Sequence, residues 1–522
     1  MLARVETCTL RGVEALPLRV EVSLTTGLPS FTVVGLAQGA VREGRERVAA
    51  ALRSSGFGLP NRRITVNLAP ADVRKEGTGF DLPIAVGILA AHGAVPRETL
   101  RDFVVVGELG LDGRLWPVPG VIAAAMLARD SARTLLIPAE NVPEADLVDG
   151  VDVVGIADLG SAVCALGGRG APEHPLGPLT RPRSVSLSVE DRVQKLPELA
   201  DVRGQRLARR ALEIAAAGSH HLLLVGPPGV GKTMLARRMP GILPPMSAEE
   251  ALEVAAVHSV AGTPRGHDSL AVRPFRAPHH SVSYAGLVGG GRPLRPGEIS
   301  LAHHGVLFLD ELPEFGRNVL EVLRQPIEEG VVRLSRADGA VRFPADFLLV
   351  AAMNPCPCGY AGDGSDRCRC DAATVARYRG RISGPLLDRI DLHVEMSTAD
   401  VFAETGEAGV REGGVDRAVS ESSAVVADRV RVARGRQQAR RAAVQDAGAN
   451  GGVNGPQLEP HGRTTADAGR LLTEVTARFG LSMRARSRVL RVARTIADLD
   501  HAEELRESHI AEAAQYRISA LP

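Results

Sequence analysis

The chain of 522 residues reads as an α/β protein, with two α/β units ahead of a helical C-terminal part. Three observations predict this. Strand-like and helix-like runs alternate through residues 1–168. A short apolar run, Leu222 to Val225, opens into Gly226-Pro-Pro-Gly229-Val-Gly231-Lys232-Thr233 and then a helical pattern. A second apolar run, about 77 residues after Thr233, ends in the carboxylates Asp310 and Glu311. The expected divisions are a first domain over 1–168, a Pro- and Gly-rich linker over 169–190, a nucleotide core over 191–398 and a helical lid over 399–522.

Composition narrows the function classes. A net charge of +1 excludes a uniformly basic nucleic-acid coat, so any DNA contact must come from local clusters. Aromatic residues make up 3%, so the cores must be built from Val, Leu, Ile and Ala. No apolar run reaches the length of a membrane span, and Met1-Leu-Ala-Arg-Val-Glu lacks the apolar segment of a secretory signal. A cytoplasmic protein with no membrane partner is expected.

In the first domain, strand-like runs fall at 19–24, 30–34, 63–68, 103–106, 134–137 and 151–154. Helical runs fall at 41–54, 82–92, 121–129 and 159–166. Around Lys75-Glu-Gly-Thr-Gly-Phe-Asp81, Gly107-Glu-Leu-Gly and Leu135-Leu-Ile-Pro, the domain resembles the proteolytic domain of Lon-type proteases. The resemblance implies a ribosomal-protein-S5-like fold without proteolysis. The nucleophilic serine would align with Gly79 and the catalytic lysine with Ile122, and neither residue can do that chemistry. Lys75 and Asp81 either line a binding surface or form a structural salt bridge.

The core carries the chemistry. Gly226, Gly229 and Gly231 let backbone N–H groups face a polyphosphate. Lys232 would reach the β- and γ-phosphates, and Thr233 would hold Mg²⁺. Lysine occurs at only three positions, 75, 195 and 232, and the third is where a compact ammonium cannot be replaced by a guanidinium. Asp310 would hold Mg²⁺ directly or through water, and Glu311 would activate the attacking water as general base. The apolar run 347–353 ends at Asn354, where a polar side chain can position that water.

This strand-by-strand pattern resembles the AAA+ ATPases, and the resemblance assigns further roles. Asn354 becomes sensor 1. Arg389, in Ser383-Gly-Pro-Leu-Leu-Asp-Arg389-Ile-Asp, becomes an arginine finger acting on a neighbouring subunit's ATP, unless it is a salt-bridge partner of Asp388 or Asp391. Arg484 becomes the sensor 2 residue, with Arg488 and Arg491 on the same helix face. A finger supplied in trans implies a ring, usually a hexamer. Residues 273–300 carry Arg273, Arg276, His279, His280, Arg292 and Arg295 against the single acid Glu298. They resemble the helix-2 insertion of Mg-chelatase-like AAA+ proteins, which in a ring faces the pore and suits a DNA backbone. A solvated loop is the plainer alternative.

Cys356, Cys358, Cys368 and Cys370 form two Cys-x-Cys pairs. Four thiolates can bind a structural Zn²⁺ tetrahedrally, with free thiols or a redox pair as the alternatives. In the lid, Val489, Val492, Ala493 and Ile496 form an apolar face, and the arginines between 429 and 441 make a basic helix that is either solvated or a DNA contact. Segments 404–415 and 443–462 are rich in Gly, Asn and Glu and read as mobile.

Lon-like domain, insertion and Cys356-Pro-Cys358-Gly together resemble the ComM/YifB family over nearly the whole chain. The resemblance implies a hexameric, ATP- and Mg²⁺-dependent helicase that promotes branch migration when incoming single-stranded DNA recombines during natural transformation. A Mg-chelatase-type motor subunit and a protein-remodelling ATPase are the rivals.

Overall fold

A computed structural model describes residues 1–35, 39–75, 77–168, 196–265, 270–336, 339–363, 366–397, 421–442 and 463–518. The expected linker and the two Gly-rich lid segments lie outside these residues.

The first unit is built on a seven-stranded sheet. Its spatial order is Ser30–Val34, Arg63–Ala69, Glu14–Thr25, Leu2–Arg11, Phe103–Val105, Thr134–Pro138, Val153–Ile156. The expected strands are present. Leu2–Arg11 is an addition, paired antiparallel with Glu14–Thr25 along its whole length. Its inward positions include Thr7 and Thr9, so its buried face does not read as apolar. Helix Asp81–His92 is buried along nearly its whole length and packs on the two N-terminal strands. Asp81 is spoken for: Arg47 grips it at 2.7 and 3.1 Å. Burial pushes its carboxyl up to about 6, against the pull of Arg47. Lys75 does not join this pair; its Nζ donates to the Pro70 carbonyl. Ile122 is fully buried in a core formed partly by its own helix, Val121–Asp130.

The second unit holds a five-stranded parallel sheet in the order Phe275–Arg276, Val306–Leu309, Leu348–Met353, Leu222–Val225, Leu392–Glu395. The strands Leu222–Val225, Val306–Leu309 and Leu348–Met353 are buried at every residue, as continuous apolar runs in a parallel sheet covered on both faces should be. The lid contributes helices Ser423–Ala442, Ala466–Arg478, Met483–Leu499 and Glu507–Ile518. Val489, Val492, Ala493 and Ile496 share one core with Ala208, Leu212 and Ala215 of the helix that precedes the phosphate loop. Three of the six arginines of the basic helix are held within the fold rather than open to solvent or DNA. Arg429 pairs with Glu213 at 2.5 Å, Arg434 donates to the Ala216 carbonyl at 3.0 Å, and Arg440 pairs with Asp498 at 2.8 Å. No helix among the described residues is long and apolar enough to cross a membrane.

The two α/β units touch. Ala255 and Ala256 of helix Ala248–Ala261 join the core around Val121 and Ala124, and the Gly120 N–H donates to the Ser259 carbonyl at 3.1 Å. On another side, Leu10 and Val13 pack with Val332 and Phe343 of the hairpin Val331–Arg336/Gly339–Pro344. Between them, a methyl on Gly12 would fall 2.7 Å from the Arg342 carbonyl oxygen.

Candidate nucleotide-hydrolysis site

Three parallel strands end side by side, each with one part of the site at its C-terminal end. Leu222–Val225 leads into the glycine loop, Leu348–Met353 into Asn354, and Val306–Leu309 into Asp310 and Glu311. The sequence placed the two nucleotide motifs in one sheet; the structure inserts the Asn354 strand between them. Gly229 and Gly231 have φ of +79° and +97° with open space at the Cβ position, so conformation is what requires glycine there. At Gly226 the reason is space, since a Cβ would lie 2.7 Å from the Met396 carbonyl oxygen.

Lys232, 8% exposed, starts the next helix and donates to the Gly226 carbonyl at 2.6 Å, the Pro227 carbonyl at 2.9 Å and Asn354 Oδ1 at 3.0 Å. Thr233 Oγ1 donates to Asp310 Oδ2 at 2.6 Å, which puts the two Mg²⁺-binding candidates in direct contact. Asp310 Oδ1 accepts the Glu311 N–H at 3.0 Å. Glu311 has φ of +53°, a left-handed conformation held at the end of a fully buried strand. Its half-exposed carboxylate lies 3.5 Å from His280 Nδ1. The sequence presents His280 only as part of a basic segment. Nothing in the sequence pairs it with Glu311, because Phe275–Arg276 reaches the sheet as an edge strand of two residues.

Burial is the largest influence on Lys232 and lowers its ammonium to about 8, against the attraction of Asp310 and Glu311. A bound polyphosphate favours the charged form and raises that value. ATP affinity should therefore be flat below pH 8 and weaken above it, by up to about tenfold per pH unit. A binding titration between pH 7 and 9.5 checks the sign; affinity that strengthens with pH would contradict it.

The outlying arginines separate. Arg389 is buried and pairs with neither Asp388 nor Asp391. Its Nη2 lies 2.5 Å from Glu328, Nη1 donates to the Pro385 carbonyl at 2.6 Å, and Nε has no partner. The two aspartates turn instead to the lid. Arg517 takes Asp388 at 3.3 Å, while Arg491 and Arg488 approach Asp391 at 3.5 and 3.7 Å. Burial raises the Asp391 carboxyl, but the His220 hydrogen bond and the charges of Arg491 and Arg488 outweigh it and hold it well below the carboxylate range. Arg488 and Arg491 are thus committed to this junction, whereas Arg484 is exposed.

In the 273–300 segment the six basic residues also divide. Arg273 is tied to Glu250 at 2.8 Å and to the Pro244 and His304 carbonyls at 2.7 Å. Arg276 makes a bidentate pair with Glu298 at 2.6 and 2.7 Å. Both hold the segment down rather than extend from it, which departs from the pore-loop expectation. Arg292 and Arg295 are exposed at a small hairpin formed by Gly289–Gly290 and Arg295–Pro296. The His279 and His280 rings lie against each other at a tilt of 35°, centres 4.0 Å apart.

Among the described residues, two groups have the composition of metal ligands. Glu253, His303 and His304 converge, with both histidine Nε2 atoms within 3.0 Å of one carboxylate oxygen. However, His303 Nδ1 accepts the Asp346 N–H at 3.0 Å, which leaves its proton on Nε2. His303 is a donor to Glu253 and not a ligand. The four cysteines are a different case, with Cys356 Sγ at 3.3 Å from Cys358 and 3.9 Å from Cys368, and Cys358 at 3.7 Å from Cys368.

A glycine loop, a Thr–Asp contact, an exposed glutamate and a polar sensor on adjacent parallel strands, with a helical lid, define a phosphate-loop ATPase of the AAA+ class. Comparison with known proteins gives the branch. Magnesium chelatase subunit ChlI matches residues 198–403, with further ChlI matches over 20–141 and, for its C-terminal region, over 420–517. The uncharacterized protein YifB of Escherichia coli (strain K12) is 44% identical over 521 residues, covering 99% of this chain and 97% of its own. Competence protein ComM of Haemophilus influenzae is 43% identical over 510 residues, covering 97% and 95%. The magnesium-chelatase 67 kDa subunit of Heliobacterium mobile is 28% identical over 205 residues, about a third of each chain. The chain belongs to the ComM/YifB family of Mg-chelatase-like AAA+ proteins.

Proposed function

We propose that this protein hydrolyses ATP with Mg²⁺ as a cytoplasmic ring, hexameric as is usual for AAA+ motors, and drives branch migration of DNA during homologous recombination and natural transformation. The convergence of Lys232, Thr233, Asp310, Glu311 and Asn354 carries the hydrolytic part. Lys232 and the loop N–H groups hold the phosphates, Thr233 and Asp310 hold Mg²⁺, Glu311 takes the proton of the attacking water and Asn354 orients it. Arg389 keeps its role in trans from the family resemblance alone; to act there it must leave its buried pair with Glu328. Arg484, exposed on its helix, is the lid residue offered to the nucleotide. Arg292 and Arg295 supply the exposed charge for a DNA strand, on a base fixed by Arg273 and Arg276. A Zn²⁺ ion on Cys356, Cys358, Cys368 and Cys370 belongs to this reading as a structural element.

The test is ATP hydrolysis with and without forked DNA. Forks should raise turnover severalfold, and Arg292→Ala with Arg295→Ala should remove the stimulation while leaving basal hydrolysis in place. The salt slope of DNA binding should fall by about one per arginine removed. Hydrolysis indifferent to every DNA would instead point to a protein client.

A further inference from the structure

The thiol cluster lies against the phosphate loop. Asn354, whose Oδ1 accepts from Lys232, stands two residues ahead of Cys356. Gly359, next to Cys358, has φ of +90° and packs so closely on Pro228 that a methyl there would come within 2.6 Å of the proline Cδ. The turn from Cys356 to Gly359 therefore spans from the thiols to the middle of the Gly226–Thr233 loop.

The sulfur geometry fits a metal. Zn–S bonds of about 2.3 Å in a tetrahedron place the sulfurs about 3.8 Å apart, and the three distances above bracket that value. A disulfide needs about 2.05 Å, and all six cysteines are free. The fourth sulfur, Cys370, belongs to the same group, with all four ligand atoms within 4.8 Å of one another. Cys356 is buried and accepts the Ala361 N–H at 3.3 Å, the kind of outer contact that orients a thiolate ligand. Four sulfur ligands leave no position for a reacting water, which rules out direct chemistry at the ion.

On the reading that Zn²⁺ occupies these thiolates, we propose that the metal sets the affinity for ATP. The ion fixes the Cys356–Gly359 turn, the turn fixes Pro228, and Pro228 holds the phosphate loop in its binding shape. Loss of zinc loosens the loop without touching a group that contacts nucleotide.

The experiment measures zinc and nucleotide affinity separately. The purified full-length chain should carry one zinc per chain. Release of zinc with a mercurial, removal of the reagent and return of Mg²⁺ should weaken binding of a fluorescent ATP analogue by about tenfold, equivalent to ~1.4 kcal/mol, and added Zn²⁺ should restore it. Protein purified without zinc, and taking none up, overturns the metal reading. Zinc-bearing protein whose ATP affinity survives removal of the ion overturns the coupling and leaves the metal reading standing. If the stripped chain aggregates, Gly359→Ala decides the matter, because it keeps all four thiolates and presses a methyl on Pro228. Weakened ATP binding with zinc still at one per chain supports the coupling; unchanged affinity overturns it.

Discussion

Glu311→Gln should lower ATP hydrolysis by about two to four orders of magnitude while ATP binding stays close to that of the parent chain. The amide matches the carboxylate in size but cannot accept the water's proton. Little else depends on the side chain: it is half exposed, among the described residues its one ion-pair partner is His280 at 3.5 Å, and the backbone N–H that bonds Asp310 is unaffected. Phosphate release and nucleotide binding must be measured together. Loss of both would place Glu311 in the binding framework, which is where Lys232→Ala is expected to act. Retained hydrolysis would remove the glutamate from the role of general base.

The parts of this site that sequence made legible are those set by local rules. Glycine spacing, a strand before it and a helix after it are enough to place Lys232 and Thr233, and an apolar run ending in two carboxylates is enough for Asp310 and Glu311. What stayed hidden depends on partners distant in sequence. Arg273 reads as a free cation in a Gly- and Pro-rich stretch because Glu250 and the carbonyls that hold it belong to other segments. Arg389 has aspartates on both sides, yet its acceptor is Glu328, brought over by the short helix Arg324–Glu329. The first strand escaped for a different reason. Threonines occupy inward positions, and the antiparallel ladder to Glu14–Thr25, rather than an apolar stripe, defines it. The lid face at Val489, Val492, Ala493 and Ile496 was legible because helical periodicity alone determines which residues lie together.

Asp498→Ala should destabilise the lid by about 3–5 kcal/mol. Asp498 has no exposed surface and joins two helices. Arg440 of Ser423–Ala442 holds both carboxylate oxygens at 2.8 and 2.9 Å, and Arg494, one turn earlier on its own helix, donates to one of them at 2.9 and 3.1 Å. Removal of the carboxylate takes a shared counter-charge from two guanidinium groups. Arg494 would keep the Ala502 and Glu503 carbonyls as acceptors but no balancing charge, in a site where it is 3% exposed. Denaturant unfolding followed by a lid-specific probe gives the effect directly. A loss below about 1 kcal/mol would mean that burial of the three charges nearly cancels their attraction. Because the lid shares its core with the helix ahead of the phosphate loop, the variant should also lower nucleotide affinity.

Gly12 gives the first domain a mechanical meaning. The hairpin Val331–Pro344 runs, after a short connection, into the strand that leads to Asn354, so the hairpin is where a displacement of that strand would meet the first domain. There the Arg342 carbonyl already rests on the backbone of Gly12, with Leu10 and Val13 closed around it. Any side chain larger than glycine's would have to push that carbonyl away. One missing carbon at position 12 is thus what lets the first domain sit directly on the segment that leads to the nucleotide site.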